Sequence, residues 1–262
     1  MIGSMAMLAL SLFATPVPVP DGYNLVWHDE FDTDGLPDAS RWGYEVGYVR
    51  NKESQYYTKE RRENCRIEDG KLIIEGRHEK YEIPGGGKTA DYTAASINTL
   101  GRASWLYGRI EVRAKLPQGK GVWPAAWMLG DSISKVGWPA CGEIDIMEFV
   151  GHTPNKTYAT VHWRLGGGHK SSGGNLTISE PWADFHTYRV DWTAEAMDFY
   201  FDDQKVHSYK LAAADENGDN AFRHPQYLLL NLALGGSWGG QIDDAIFPQR
   251  YEVDYVRVYQ AK

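Results

Sequence analysis

The stretch Gly142-Glu143-Ile144-Asp145-Ile146-Met147-Glu148-Phe149-Val150-Gly151 decides how this chain is read. Ile, Met, Phe and Val suit a pleated, half-buried surface, and a glycine bounds the run on each side, so the segment predicts a strand over residues 143–150. Three acids sit within six residues of it. A carboxylate turned into an apolar core is costly unless paired or neutralised, so these acids are expected to face a solvated cleft. Side chains alternate across a strand, which puts Glu143 and Asp145 on one face and Glu148 on the other. One extra residue in a bulge near Ile146 and Met147 would return Glu148 to the acidic face, and bulges commonly re-aim side chains beside active sites.

Three acids on one face suit a two-carboxylate glycosidase, in which one acid attacks, one handles protons and one tunes the others. In a retaining enzyme the working carboxyls lie roughly 5–5.5 Å apart, a reach that same-face strand neighbours supply. The competing reading is an acidic strand that merely faces solvent.

The motif resembles the active-site signature of glycoside hydrolase family 16, in the bulged E-I-D-I-M-E form of its laminarinase-type branch. The likeness covers about residues 23 to 260. Asn51-Lys52-Glu53-Ser54-Gln55-Tyr56-Tyr57-Thr58 resembles the family's N-x-E-x-Q-Y-Y-T block. Tyr107 to Pro117, Gly121 to Leu129, Leu228 to Trp238 and Val253 to Tyr259 are similar to further blocks. The resemblance implies an all-β jelly roll of two curved antiparallel sheets with a substrate cleft on the concave face. It implies an endo-acting β-1,3-glucanase with Glu143 as nucleophile, Glu148 as general acid/base and Asp145 as assisting carboxylate. It implies further that Asn51, Glu53, Trp123, Trp127 and His162 bind substrate; Trp238, Arg102 and Trp105 are further candidates, although an exposed Arg is usually just a solvated charge. No cofactor is expected for catalysis. A structural calcium on the convex side is expected at Glu30, the carbonyl of Gly70 and Asp254, all of which offer the oxygen ligands calcium prefers.

The rest of the chain agrees. Its 262 residues are compatible with one large all-β domain, expected over 21–262. A net charge of −8 without a basic patch argues against a nucleic-acid partner. The 10 Trp and 16 Tyr fit sugar stacking, although large β cores also use aromatics. Gly108 to Leu116 alternates Ile110, Val112, Ala114 and Leu116 with charged residues, as a half-solvated antiparallel strand does. Strands are also expected at 25–31, 71–76, 122–129, 157–163, 186–192, 197–202, 227–234 and 251–259. The glycine clusters at 85–87, 166–168, 173–174 and 235–240 read as loops, and 212–223 as a polar segment with a short helical turn. None of the glycine clusters has P-loop spacing, and no His/Cys cluster has zinc spacing.

Trp123 and Trp127 share a strand face, where core packing competes with sugar contact. Trp238 lies in a Gly-rich loop, where binding residues concentrate. His162 is expected in the cleft, with a satisfied core histidine as the alternative. Cys65 and Cys141 could form one bridge or remain two buried thiols. Met5 to Ala14 has the length of a signal-peptide core and is too short to span a membrane, but no Lys or Arg precedes it. Residues 1–20 therefore read as a signal-like segment with a proline linker, and the protein as secreted, monomeric and without a membrane partner. Mixed-linkage β-1,3-1,4-glucanase activity, or glucan binding without catalysis, are the alternative functions.

Overall fold

The computed structural model describes residues 17–262. The apolar run at 5–14 lies outside the described residues. Residues 17–20 do not hang free as a linker: the Tyr259 hydroxyl donates to the Pro18 carbonyl (3.0 Å), and the Tyr23 amide donates to that of Pro20 (3.1 Å).

Seventeen strands follow. They are β1 Tyr23–Asp29, β2 Gly43–Tyr44, β3 Gln55–Tyr57, β4 Cys65–Glu68, β5 Lys71–Glu82 and β6 Thr89–Ala94. Next come β7 Ser96–Asn98, β8 Gly108–Lys115, β9 Val122–Gly130, β10 Glu143–Phe149, β11 Lys156–Leu165 and β12 Gly168–Thr177. The last are β13 His186–Trp192, β14 Ala196–Phe201, β15 Gln204–Lys210, β16 Gln226–Leu234 and β17 Gln249–Ala261. Ten build one sheet in the order β15-β14-β13-β8-β17-β5-β6-β3, with β1 beside β17 and β4 beside β5. Seven build the other, in the order β12-β11-β10-β9-β16-β7-β2. Pairing is antiparallel except between β3 and β6.

The two inner faces close one core. Ile110, Val112 and Ala114 of β8 join Ala126 and Met128 of β9, Ile144 and Phe149 of β10, and Leu228, Leu230 and Leu232 of β16. Each Ile, Val, Leu, Met or Phe among them, fully buried, stabilises the fold by about 1.5–3 kcal/mol. Strands β9 and β16 are buried along their whole length, so their outer faces are covered as well. What covers them is the wall of a cleft.

The loop reading of two glycine clusters fails as well. The glycines at 166–168 and 173–174 are not loops but the turn and body of a hairpin, β11–β12. Gly166 and Gly167 take φ of +62° and +74°, the left-handed pair that a two-residue hairpin turn demands. Gly174 has a different reason: a Cβ there would fall 2.4 Å from the Val206 carbonyl of β15. The glycines therefore serve close strand approach rather than flexibility. The short helical turns expected within 212–223 are present as 3-10 segments at Leu211–Ala214 and Ala221–Arg223.

Candidate active site

Strand β10 carries the acids as its composition requires. Against β9, Asp145 pairs with Trp127 and Met147 with Ala126, leaving Ile146 as the extra residue. Against β11, Glu143 pairs with His162, Asp145 with Thr160 and Glu148 with Tyr158. The bulge restores Glu148 to the face of Glu143 and Asp145, and Ile144, Ile146, Met147 and Phe149 are left to the core.

The acids lie on the outer face of the seven-stranded sheet, in a cavity of about 480 Å³. Its floor is read off three strands at alternate positions: Trp123, Ala125, Trp127 and Leu129 from β9, the acids from β10, and Tyr227, Asn231 and Ala233 from β16. Its walls are the segment from Glu45 to Glu53, with Ile133 and Trp138.

Each acid has a distinct setting. Trp138 Nε1 donates to Glu143 Oε2 at 2.9 Å, and Trp123 Nε1 donates to Glu148 Oε1 at 3.1 Å. His162 Nε2 is 3.3 Å from Asp145 Oδ2 and 3.8 Å from Glu143 Oε1. Asp145 is 3% exposed, and its Oδ2 has no hydrogen bond from the described residues. Burial raises all three carboxyls above their ordinary values. The charge of Glu143 pushes Asp145 higher still, and Asp145 does the same to Glu148. For Glu143 burial is opposed by His162, by the Trp138 N–H and by Arg50. Glu143 is therefore the acid best supported as an anion, and Glu148 a proton holder.

Most of the expected binding residues are here. Asn51, Glu53, Trp123 and Trp127 line the cavity, and His162 stands against Asp145. The tryptophans are pinned as well as presented. Trp127 Nε1 donates to Asn231 Oδ1 (2.7 Å), and the Arg50 guanidinium lies over its ring at 4.9 Å. Glu53 accepts from Gln55 Nε2 (2.7 Å), Asn51 Nδ2 (3.2 Å) and the Tyr57 hydroxyl (3.2 Å), while Asn231 Nδ2 donates to that hydroxyl (2.9 Å). Trp238 stands at the margin, edge-on to Trp123 at 5.5 Å and to Tyr158 at 4.9 Å.

Two expectations are corrected. Trp105 is a core residue, 5.3 Å from the ring of Trp27 and packed in the main hydrophobic cluster. Its indole is consumed by packing at the opposite side of the sheet from the acids. Arg102 donates to the carbonyls of Ala39 (2.8 Å) and Leu100 (3.1 Å), tying loops together outside the cavity.

Several cavity residues were not anticipated. Asn231 is the one polar residue in the β16 run Leu228-Leu229-Leu230-Asn231-Leu232, and such an interruption signals a site. Tyr227 shares its face four residues earlier. Trp138, 50% exposed, precedes the acid strand by five residues, and an exposed tryptophan beside acids is a second signal. Arg50 and Glu45 carried no such signal: their ion pair lies within one loop segment, and Ser96 Oγ donates to Glu45 at 2.6 Å from a distant strand.

Cys65 lies in the main core and Cys141 beneath the cleft, both as free thiols. Burial pushes Cys65 up to about 12 and Cys141 to about 11. Of the expected calcium ligands, Glu30 is clasped by Arg257 (3.0 and 2.7 Å), and Asp254 is paired with Arg113 at 2.5 Å. A cation there would have to displace two guanidinium groups, so these side chains do not present a ready calcium cage.

A sequence profile of the glycosyl hydrolases family 16 matches residues 52–257. The chain is 44% identical over 255 residues to a β-glucanase of Rhodothermus marinus, spanning 91% of this chain and 85% of that protein. Its fold superposes on the laminarinase of Rhodothermus marinus with a TM-score of 0.83 at 42% identity, over 92% of this chain and 98% of that one. It also superposes on a non-specific endo-β-1,3(4)-glucanase with a TM-score of 0.85 at 43% identity, over 94% and 98% of the two chains; that protein was crystallised with a β-glucan oligosaccharide at its active site. The jelly roll, the bulged acid strand and these likenesses agree, and the chain belongs to glycoside hydrolase family 16.

Proposed function

We propose that this protein is a retaining endo-β-glucanase that cleaves β-1,3-glucosidic bonds in laminarin-type polysaccharides. The observation that carries this reading is the bulge at Ile146, which gathers Glu143, Asp145 and Glu148 on one face of an aromatic-lined cavity.

The chemistry follows from the settings of the acids. Glu148 holds a proton, since burial and two neighbouring carboxyls oppose its ionisation. Trp123 occupies Oε1, so Oε2 presents the proton to the glycosidic oxygen. Glu143, supported as an anion by Trp138 and His162, attacks the anomeric carbon as the leaving chain takes that proton. The ester removes a negative charge from the cleft, and Glu148 is now ionised. It then takes a proton from water, whose oxygen attacks the anomeric carbon and releases Glu143. Asp145 sits between the two and biases where the shared proton resides.

Non-catalytic glucan binding is disfavoured because a pure binding site would not need three carboxyls crowded on one face, Asp145 buried and Glu143 and Glu148 half-buried, with so little positive charge beside them. Sulfated substrates are disfavoured too. Arg50 is the sole cationic side chain among the described lining residues, and Glu45 already neutralises it. Mixed-linkage glucan is the second reading, favoured by the likeness to a non-specific β-1,3(4)-glucanase. Product analysis on laminarin, curdlan, lichenan, agarose and carrageenan tests the assignment. Internal cleavage of laminarin is expected, and activity confined to agarose or carrageenan would overturn it.

We hold three further readings as proposals: a monomer, a secreted location and a structural calcium at Glu30, Gly70 and Asp254, which would have to take the place of Arg257 on Glu30 and of Arg113 on Asp254. If calcium binds there, chelation lowers the melting temperature and leaves low-temperature activity unchanged, because the ligand stabilises only the folded state. An unaltered melting temperature after chelation removes the calcium reading. Among the described residues no helix is long and apolar enough to cross a membrane.

A further inference from the structure

His162 does not meet the acids alone. Its Nδ1 lies 2.9 Å from Nε2 of His169, the second residue of β12, just past the Gly166–Gly167 turn. The two ring planes differ by 21°, and the nitrogens are far closer than the ring centroids, which are 5.1 Å apart. The rings therefore meet edge to edge in one plane, which is hydrogen-bond geometry rather than face stacking. His169 is diagonal to His162 across the hairpin, because its register partner is Arg164 while that of His162 is Ser171. The other side of His169 rests on Trp138, with centroids 4.8 Å apart. The residue thus touches two of the three groups that favour the charge of Glu143.

Proton inventory gives this contact a direction. Of two imidazole nitrogens in line, one carries hydrogen and the other does not. The remaining nitrogen of His162, Nε2, lies 3.3 Å from Asp145 Oδ2 and 3.8 Å from Glu143 Oε1, and toward Glu143, the acid best supported as an anion, it presents a hydrogen. A neutral His162 must then accept at Nδ1, and His169 must donate from Nε2. When His162 is an imidazolium it donates at both nitrogens, and His169 accepts as a neutral ring. In both states His169 stays uncharged.

We propose that His169 is a positioning residue for the hydrolytic reaction: its ring fixes the tautomer and aim of His162, so that the Nε2 hydrogen is held on the side of Glu143. The effect is to favour the anionic form of Glu143 during attack. Burial and the neighbouring His162 hold His169 below the ordinary histidine value, the direction a neutral ring calls for. The charged groups facing His162 are Glu143, Asp145 and Glu148 from β10, with Arg50 acting on Glu143 from across the cleft. His169 is flanked by Arg164 and Lys170, and Glu216 accepts from the Gly166 amide of the turn. None of these occupies Nδ1 of His162, so the tautomer is left to His169.

The inference rests on the glucanase reading for its kinetic test, while its spectroscopic test does not. His169→Leu removes the donor, and His169→Gln returns an N–H near the same place. On laminarin, His169→Leu is expected to lower kcat/KM roughly five- to tenfold, the scale of one lost hydrogen bond. It should also move the acidic limb of the pH profile upward, because Glu143 loses a group that favours its charge. His169→Gln should keep both near wild type, with melting temperatures of the three proteins matched. Equal behaviour of the Leu and Gln variants, or an unmoved acidic limb in His169→Leu, would overturn the proposal. Nitrogen-15 NMR of the wild-type histidines tests it without substrate or mutation. Neutral His162 is expected as the Nε2–H tautomer, and the Nδ1–H tautomer would refute it.

Discussion

Two buried carboxylate sites in this molecule are built on opposite terms. Glu75 of β5, 2% exposed, is met by Arg66 at 3.1 Å, by Arg250 at 3.1 Å and by Arg77. Asp145 of β10, 3% exposed, has no cation other than what His162 can supply at 3.3 Å, and its neighbours Glu143 and Glu148 are acids as well. One site spends three arginines to keep a single charge inside a sheet. The other leaves three carboxyls competing for too little positive charge, and the competition keeps a proton in the cleft. Burial is the same in both; the count of partners decides whether a carboxylate holds the fold or does chemistry.

Exchanging an acid for its amide separates the two sites most sharply. Glu143→Gln and Glu148→Gln should each cut turnover on laminarin by roughly 10³-fold or more while the melting temperature holds or rises. Asp145→Asn should cost less activity because its role is indirect. Glu75→Gln should behave inversely, costing about 3 kcal/mol of stability and leaving kcat per folded molecule unchanged. Calorimetry and kinetics on the same four proteins check this. A Glu148→Gln enzyme with wild-type turnover would end the assignment.

The pH dependence of stability is a second break point. Asp145 and Glu148 have folded-state values raised well above the ordinary carboxylate range, so the folded protein binds more protons than the unfolded chain once pH exceeds about 4. Stability contributed by these sites is therefore present at low pH and declines as pH rises through that window, levelling off above the folded values. The slope is at most about 1.4 kcal/mol per pH unit for each group. Denaturation midpoints across pH should show a shallower decline in Asp145→Asn and Glu148→Gln than in wild type. An identical slope in all three would contradict the raised values.

The smallest expected effect concerns the rim. Trp238→Ala should raise KM for long laminarin with less change in kcat, since stacking on a remote sugar stabilises substrate and transition state alike. Trp127→Ala should instead lower stability by about 3 kcal/mol, as large-to-small changes at buried sites do, because its ring and N–H are held by Arg50 and Asn231. Unchanged KM for Trp238→Ala in kinetics on chains of graded length would remove it from substrate contact.

Much of this was legible along the chain. The strand with its acids, the need for a bulge and the alternation of Gly108 to Leu116 are local consequences of strand period and burial cost, so residue order alone determined them. The same period put Trp123 and Trp127 on one face. What only the tertiary structure decided is which side of the molecule each aromatic serves and who partners each charge. Trp105 and Trp138 are both tryptophans in loops, yet one fills the core beside Trp27 and the other stands over Glu143. Arg50 meets Trp127, and His169 meets His162 through a glycine turn that looked like slack chain. Strand periodicity acts between residues two apart and is written in the sequence. Pairing between strands and loops depends on register and on folds of chain far apart, and no local pattern encodes it.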